Sequence, residues 1–273
     1  MAPRSALLDG DNLTIRIVSS AVIVPVVTAA VWLGAWPYTI FLAVLAGVAC
    51  WEWAKVSAKS GLARIMIPCA ALTPVVALGA GLRSAVIVAV FGAAIVLAGA
   101  WLRREPAPWI VAAGVPYVLI SVLSLYWLRV EAGPGLETVL WLVAVVAATD
   151  IAAYFAGRSI GGPKLAPRLS PKKTWAGLVG GMAAAAVVGA STAVLLGSAG
   201  MMSLVLVSVG LAVAAQAGDL IESAFKRRFD VKDASGLIPG HGGVLDRIDG
   251  YLTAAPVVAL MTVVRDGSPV TWQ

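Results

Sequence analysis

Apolar residues in this chain of 273 come in long continuous runs, not in the alternation of a half-buried strand or the narrow stripe of a soluble helix. The runs between charged or Gly/Pro-rich breaks predict helices at 13–33, 36–55, 65–82, 84–102, 107–128, 137–157, 175–197, 200–225 and 250–264. Most approach the roughly 20 residues that cross a hydrocarbon core. The third and fourth are separated only by Arg83 and Ser84, and the ninth is short for a span. The expectation is an all-α, polytopic transmembrane protein of about nine spans; a membrane barrel would need alternating strands. The first run is taken as retained. It is long, begins at Arg16 and has no small-x-small cleavage pattern before Trp32.

Composition agrees. The chain is 60% hydrophobic and 12% charged, with a mean hydropathy of +0.93, which excludes a soluble enzyme, a disordered chain and a single-pass receptor. Cys50 and Cys69 lie in apolar runs without metal-ligand spacing and read as buried, inert thiols. The 20 Lys and Arg test the helix count, because a wrong count would scramble loop parity. Seventeen fall on the side of the amino terminus, and only Arg83, Arg129 and Arg265 fall opposite. By the positive-inside rule the amino terminus and both long polar loops are cytoplasmic and the carboxyl terminus is outside. The net charge of +6 is therefore one-sided. It suits lipid headgroups or phosphorylated ligands, with no nucleic-acid partner expected.

Polarity shifts along the chain. Residues 1–135 read as membrane scaffold with lipid access, and 136–273 as membrane helices bearing the reactive cytoplasmic loops. Asp150 sits inside the sixth predicted span, where an ionisable group is costly and suggests function. The loop after it, to Gly177, carries five cations and four glycines, a composition that can hold phosphates. It has no Walker pattern. Ser170, Lys172, Lys173 and Thr174 lead into a helix, where hydroxyls, cations and free amides can meet an anion. The plainer alternative there is a helix cap with topogenic charge. Farther on, Asp219, Glu222, Asp233, Asp246 and Asp249 interleave with Lys226, Arg227, Arg228, Lys232 and Arg247. Carboxyl groups without His or Cys partners favour a hard cation, and the neighbouring lysines and arginines favour a phosphate-bearing substrate. Together they suit phosphoryl or nucleotidyl transfer. Asp219, Glu222, Ser223 and Lys226 also share one helical face.

The segment Ser223–Asp249, SAFKRRFDVKDASGLIPGHGGVLDRID, resembles the diagnostic pattern of the phosphatidate cytidylyltransferase (CDP-diacylglycerol synthase) family. SPKKTWAG at 170–177 is similar to that family's SPKKTxEG, with Ala176 in place of its glutamate, and QAGDL at 216–220 to its Q-x-G-D-L. Upstream the likeness rests on hydropathy, the arginine that opens the first span and WEW at 51–53. The resemblance implies a multi-pass enzyme of the inner (plasma) membrane, its site facing the cytoplasm, that joins CTP and phosphatidate to give CDP-diacylglycerol and pyrophosphate. It implies Mg²⁺ or Mn²⁺, with a second monovalent cation and a homodimer left open. On this footing Asp219 and Asp246 are the first candidate metal ligands, bridged by one cation, with Asp249, Asp150, Glu222 and Asp233 further candidates. Asp219, Asp246, Lys226 and Arg247 are the candidate catalytic residues. Ser170, Lys172, Lys173, Thr174, Ser223, Arg227 and His241 are the candidate substrate contacts, His241 as a general base, a hydrogen-bond donor to phosphate or a loop residue. The alternatives are another CTP-dependent lipid enzyme of polyprenol kinase type, and a transporter using the intramembrane acids.

Three further features are open to sequence reasoning. Trp51, Trp53, Trp101, Trp109, Trp127, Trp141 and Trp175 lie near span ends and read as an interfacial aromatic belt. Gly177 and Gly181 form a G-x-x-x-G that reads as helix packing within the chain. Glu52 is either a surface partner of Lys55 or part of the site.

Overall fold

The computed structural model describes residues 5–240 and 242–272. Nine α-helices follow in order: α1 (Ser5–Leu33), α2 (Ala35–Ser57), α3 (Gly61–Ala77), α4 (Leu82–Leu102), α5 (Pro108–Val130), α6 (Gly135–Ser159), α7 (Trp175–Leu196), α8 (Met201–Arg228) and α9 (Leu245–Val264). Eight of them, counting α3 with the short 3-10 turn that extends it to Ala80, are long and apolar enough to cross a membrane. The chain is a multi-pass membrane protein. Its outward surface carries Trp36, Phe91, Leu102 and Leu195, as lipid contact requires, while Tyr38, Leu42, Leu119, Leu142 and Leu211 fill the interior.

Boundaries shift where local chemistry outweighs hydropathy. The break between the third and fourth helices falls at Gly81, whose φ of 98° is open to glycine, so Arg83 lies in the first turn of α4. The ninth helix begins at Leu245, five residues before its expected start, and Asp246 and Asp249 lie within it. Hydropathy treats two aspartates as loop, but an acid in a first turn is favoured by the unpaired N–H groups there. The basic loop after α6 contains a short antiparallel hairpin of β1 (Lys164–Ala166) and β2 (Ser170–Thr174), which hydropathy gave no sign of.

The ends of the helices sort into two sets. Glu105, after α4, accepts from the Lys59 and Ser60 amides, and the loop after α8 meets the end of α2, so these loops share one end of the bundle. At the other end Arg129 Nε donates to Val31 O, Thr138 bonds Ser268, and the Gly200 amide donates to Trp272 O. The polar loops at 158–173 and 226–247 lie together at the first end.

Small residues set the closest helix contacts. A Cβ on Gly177 or Gly181 would press on Ala153 O at 2.8 Å or Thr149 O at 3.1 Å, so this pair packs α7 on α6 within the chain. Contacts also cross residue 135: Ser121 Oγ on α5 donates to Leu252 O on α9 at 2.5 Å. Two of the seven tryptophans depart from the belt. Trp53 and Trp141 are buried, and their Nε1–H groups donate to Ile110 O and Ser208 Oγ, because an interior tryptophan needs an acceptor. Cys50 is buried, but Cys69 is exposed on the outer surface of α3, where a small apolar side chain can face lipid.

Candidate active site

The polar residues of α8 form the site's floor. Spacing of i, i+3, i+4 and i+7 puts Asp219, Glu222, Ser223 and Lys226 on one face, and their bonds confirm it. Ser223 Oγ donates to Asp219 Oδ1 at 3.3 Å, and Lys226 Nζ donates to Glu222 Oε2 at 2.9 Å. Asp219 lies nine residues before Arg228, about 14 Å of helix into the span.

The first turns of α9 close over this face. Gly218 permits the approach: a Cβ there would collide with Asp249 O and lie 2.5 Å from Thr253 Oγ1. Asp219, Glu222 and Asp249 thereby each place a carboxyl oxygen within 4.8 Å of the others. Asp246, one turn earlier, takes different partners. Its Oδ1 accepts from Lys226 Nζ at 2.5 Å, and its Oδ2 accepts from the Gly243 and Ala234 amides at 2.8 and 3.0 Å. Sequence reasoning paired Asp219 with Asp246; in the structure Lys226 stands between Asp246 and Glu222, and Asp249 is the neighbour of Asp219.

The loop after α6 supplies the third wall. Along β2 Lys172 is exposed and Lys173 is half-buried. Lys173 Nζ lies 2.6 Å from Asp219 Oδ2 and 3.4 Å from Gln216 O. Gln216 Nε2 in turn donates to Asp150 Oδ1 on α6 at 3.4 Å. Gln216 was not foreseen as a site residue, although it opens the QAGDL element.

The remaining candidates lie outside this cluster. Thr174 is buried as the N-cap of α7, accepting from the Gly177 amide at 3.0 Å, and Ser170 is half-buried at the start of β2. Arg227 is exposed, with Nη1 on Val231 O. Arg247 and Asp233 are exposed at the rim, Asp233 beside Gly242. His241 lies outside the described residues.

The charge balance of this cluster is one that could hold a cation. Asp150, Asp219, Glu222, Asp246 and Asp249 gather around Lys173 and Lys226, which make the only ion pairs among the described residues. Glu222 Oε1 is buried and has no hydrogen-bond partner there. An unpartnered buried carboxyl oxygen costs about 1–3 kcal/mol or more, and here it stands beside two further carboxyl groups. An all-oxygen group of this kind suits a hard divalent cation and not a soft one.

Comparison with known proteins adds an independent line. A family model described as the cytidylyltransferase family matches residues 14–264. The phosphatidate cytidylyltransferase of Brucella suis biovar 1 (strain 1330) is 39% identical over 256 residues, which are 92% of this chain and 93% of that protein. The phosphatidate cytidylyltransferase of Haemophilus influenzae is 45% identical over 127 residues, 45% of this chain and 44% of that protein. That of Staphylococcus saprophyticus is 37% identical over 150 residues, 55% of this chain and 56% of that protein.

Proposed function

This chain belongs to the cytidylyltransferase family, and from that premise we propose that it is a membrane phosphatidate cytidylyltransferase, transferring the cytidylyl group of CTP to phosphatidate to give CDP-diacylglycerol and pyrophosphate. The observation that carries the reading is the carboxyl cluster of α8 and α9, with its buried unpartnered Glu222 oxygen, ringed by lysines at the basic end of a membrane bundle.

Asp219, Glu222 and Asp249 would hold Mg²⁺ or Mn²⁺, with Asp246 adjacent. When bound, such a cation offsets polyphosphate charge and polarises the α-phosphorus. Lys172 and Arg247, exposed at the rim, would take the outer phosphates of CTP, and Lys173, beside Asp219, a phosphate nearer the cation. A phosphatidate oxygen attacks the α-phosphorus. The bond from that phosphorus to the bridging oxygen of the β-phosphate breaks, and pyrophosphate leaves with the electron pair. The attacking oxygen is already anionic near neutral pH, so no side chain has to remove a proton.

The bilayer placement follows from the substrates. Phosphatidate arrives laterally between helices, and CTP enters from the cytoplasm, onto which the basic end opens by the positive-inside rule. The bacterial relatives support the inner membrane as the location.

The test uses purified protein, phosphatidate and CTP labelled at either the α- or the γ-phosphorus. Label from the α-position entering lipid, with pyrophosphate released, supports the reading. Transfer of the γ-label to a lipid would indicate a kinase, and no CTP consumption would return the acids to a transport role.

A further inference from the structure

Glu52 on α2 lies in the half of the chain that carries none of the clustered acids, yet its side chain is 0% exposed. It makes no pair with Lys55, whose Nζ lies over the Trp51 ring at 5.3 Å. Its carboxyl group instead accepts three hydrogen bonds from the segment entering α9. Oε1 accepts from Ser235 Oγ at 2.5 Å and from the Val244 amide at 3.0 Å, and Oε2 accepts from the Leu245 amide at 2.6 Å.

These amides belong to the N-cap and first residue of α9, and Val244 has no capping side-chain bond of its own. The opening N–H groups of a helix have no intrahelical partner, and an unsatisfied one is costly when buried. α9 is thus capped from a helix nearly two hundred residues away in sequence. Asp246, which receives the Gly243 amide, completes the cap from within. Gly243 leaves the room required: a Cβ there would lie 2.7 Å from both Glu52 oxygens. The next residue along α2, Trp53, stacks on Phe225 with ring centroids 3.7 Å apart, directly before Lys226. Adjacent residues of α2 therefore hold the two helices that supply the carboxyl cluster.

We infer that Glu52 is a positioning residue, whose cap on Val244 and Leu245 sets the rotation and depth of the first turns of α9 and so holds Asp246 and Asp249 against Asp219 and Glu222. Glu52's hydrogen bonds go to Ser235, Val244 and Leu245 and not to the clustered acids. Its effect on turnover rests on the cytidylyltransferase reading, whereas the cap can be judged without it.

Glu52→Gln keeps the size but sets an amide N–H against one of the donors. Three measurements on the full-length variant in detergent decide its role. Backbone hydrogen exchange at Val244 and Leu245 should accelerate by about tenfold, the loss of one net hydrogen bond. The Mg²⁺ concentration giving half-maximal CTP turnover should rise severalfold, and excess Mg²⁺ should restore much of the rate. The unfolding temperature should stay near wild type. Wild-type exchange together with unchanged Mg²⁺ dependence would overturn the inference. So would a lowered unfolding temperature with both of those unchanged, since Glu52 would then only support the fold. If Glu52→Gln does not accumulate, Gly243→Ala and Ser235→Ala disturb the same cap from the other side, and wild-type behaviour of both would overturn it equally. Wild-type protein that fails to use CTP and phosphatidate would count against the functional reading, leaving the exchange data to judge the cap.

Discussion

Replacing Lys226 with methionine removes the ammonium group that bridges Glu222 and Asp246 while keeping most of the side-chain volume. The lysine side chain is 12% exposed, that of Glu222 0% and that of Asp246 6%, so water screens this trio weakly. Removing one partner of a buried ion pair costs about 3–5 kcal/mol, because the other charge stays buried without compensation. Here two carboxyl groups are left, and Glu222 already carries an oxygen without a partner. At about 2–4 °C per kcal/mol for a chain of this order of size, the unfolding temperature should fall by about 6–20 °C. The assay is thermal unfolding of the purified variant in detergent with EDTA, repeated with Mg²⁺. The divalent ion should recover part of the loss, and more in the variant than in wild type, because it can take the place of the ammonium between the carboxyl groups. An unfolding temperature within about 2 °C of wild type in EDTA would refute the ion-pair account.

Three further outcomes are expected. Asp219→Asn and Asp246→Asn should each abolish CTP turnover, Asp219→Asn with detergent stability nearly intact and Asp246→Asn with a lowered unfolding temperature, because it leaves buried Lys226 with one carboxyl partner and weakens the acceptor of the Gly243 and Ala234 amides; the turnover of the double variant should be little worse than either, since residues acting as a unit are not additive, and near-normal turnover in one would remove that residue from the required set. Lys172→Ala should weaken CTP use by about 10- to 150-fold, the loss of one charge-assisted phosphate contact worth about 1.5–3 kcal/mol, without lowering the unfolding temperature; Lys173→Ala should lose turnover and also loosen Asp219. Cysteines introduced at exposed positions in 158–173 and 226–247 should react with impermeant reagent from the cytoplasmic side only, and labelling of the two loops from opposite sides would break the topology.

Periodicity and hydropathy were enough to place a helix near each of the nine among the described residues, eight of them long and apolar enough to cross a membrane, because such a helix announces itself in composition alone. The α8 stripe was legible for the same local reason, since four polar residues at i, i+3, i+4 and i+7 share a face whatever packs against them. What escaped was set by tertiary contact. The early start of α9 depends on caps supplied by Asp246 and the remote Glu52, and a hydropathy window sees only two acids there. The contact of Lys173 with Asp219 depends on a five-residue strand too short and too polar to register. Asp246 and Asp219 looked equivalent in sequence, but Lys226 lies within reach of only the former. Trp53 and Trp141 sit near span ends, where their position in sequence matches a belt residue and only their neighbours show otherwise.

The central claim is that the carboxyl groups of α8 and α9 form a single divalent-cation site serving the polyphosphate of CTP. Its most direct test is a Mn²⁺ titration of the purified protein followed by electron paramagnetic resonance, in wild type and in Asp219→Asn, Glu222→Gln and Asp249→Asn. Mn²⁺ should bind wild type, be displaced by Mg²⁺ and bind more tightly with CTP present, and each substitution should sharply weaken that binding. Mn²⁺ bound equally well by wild type and all three variants would contradict the account.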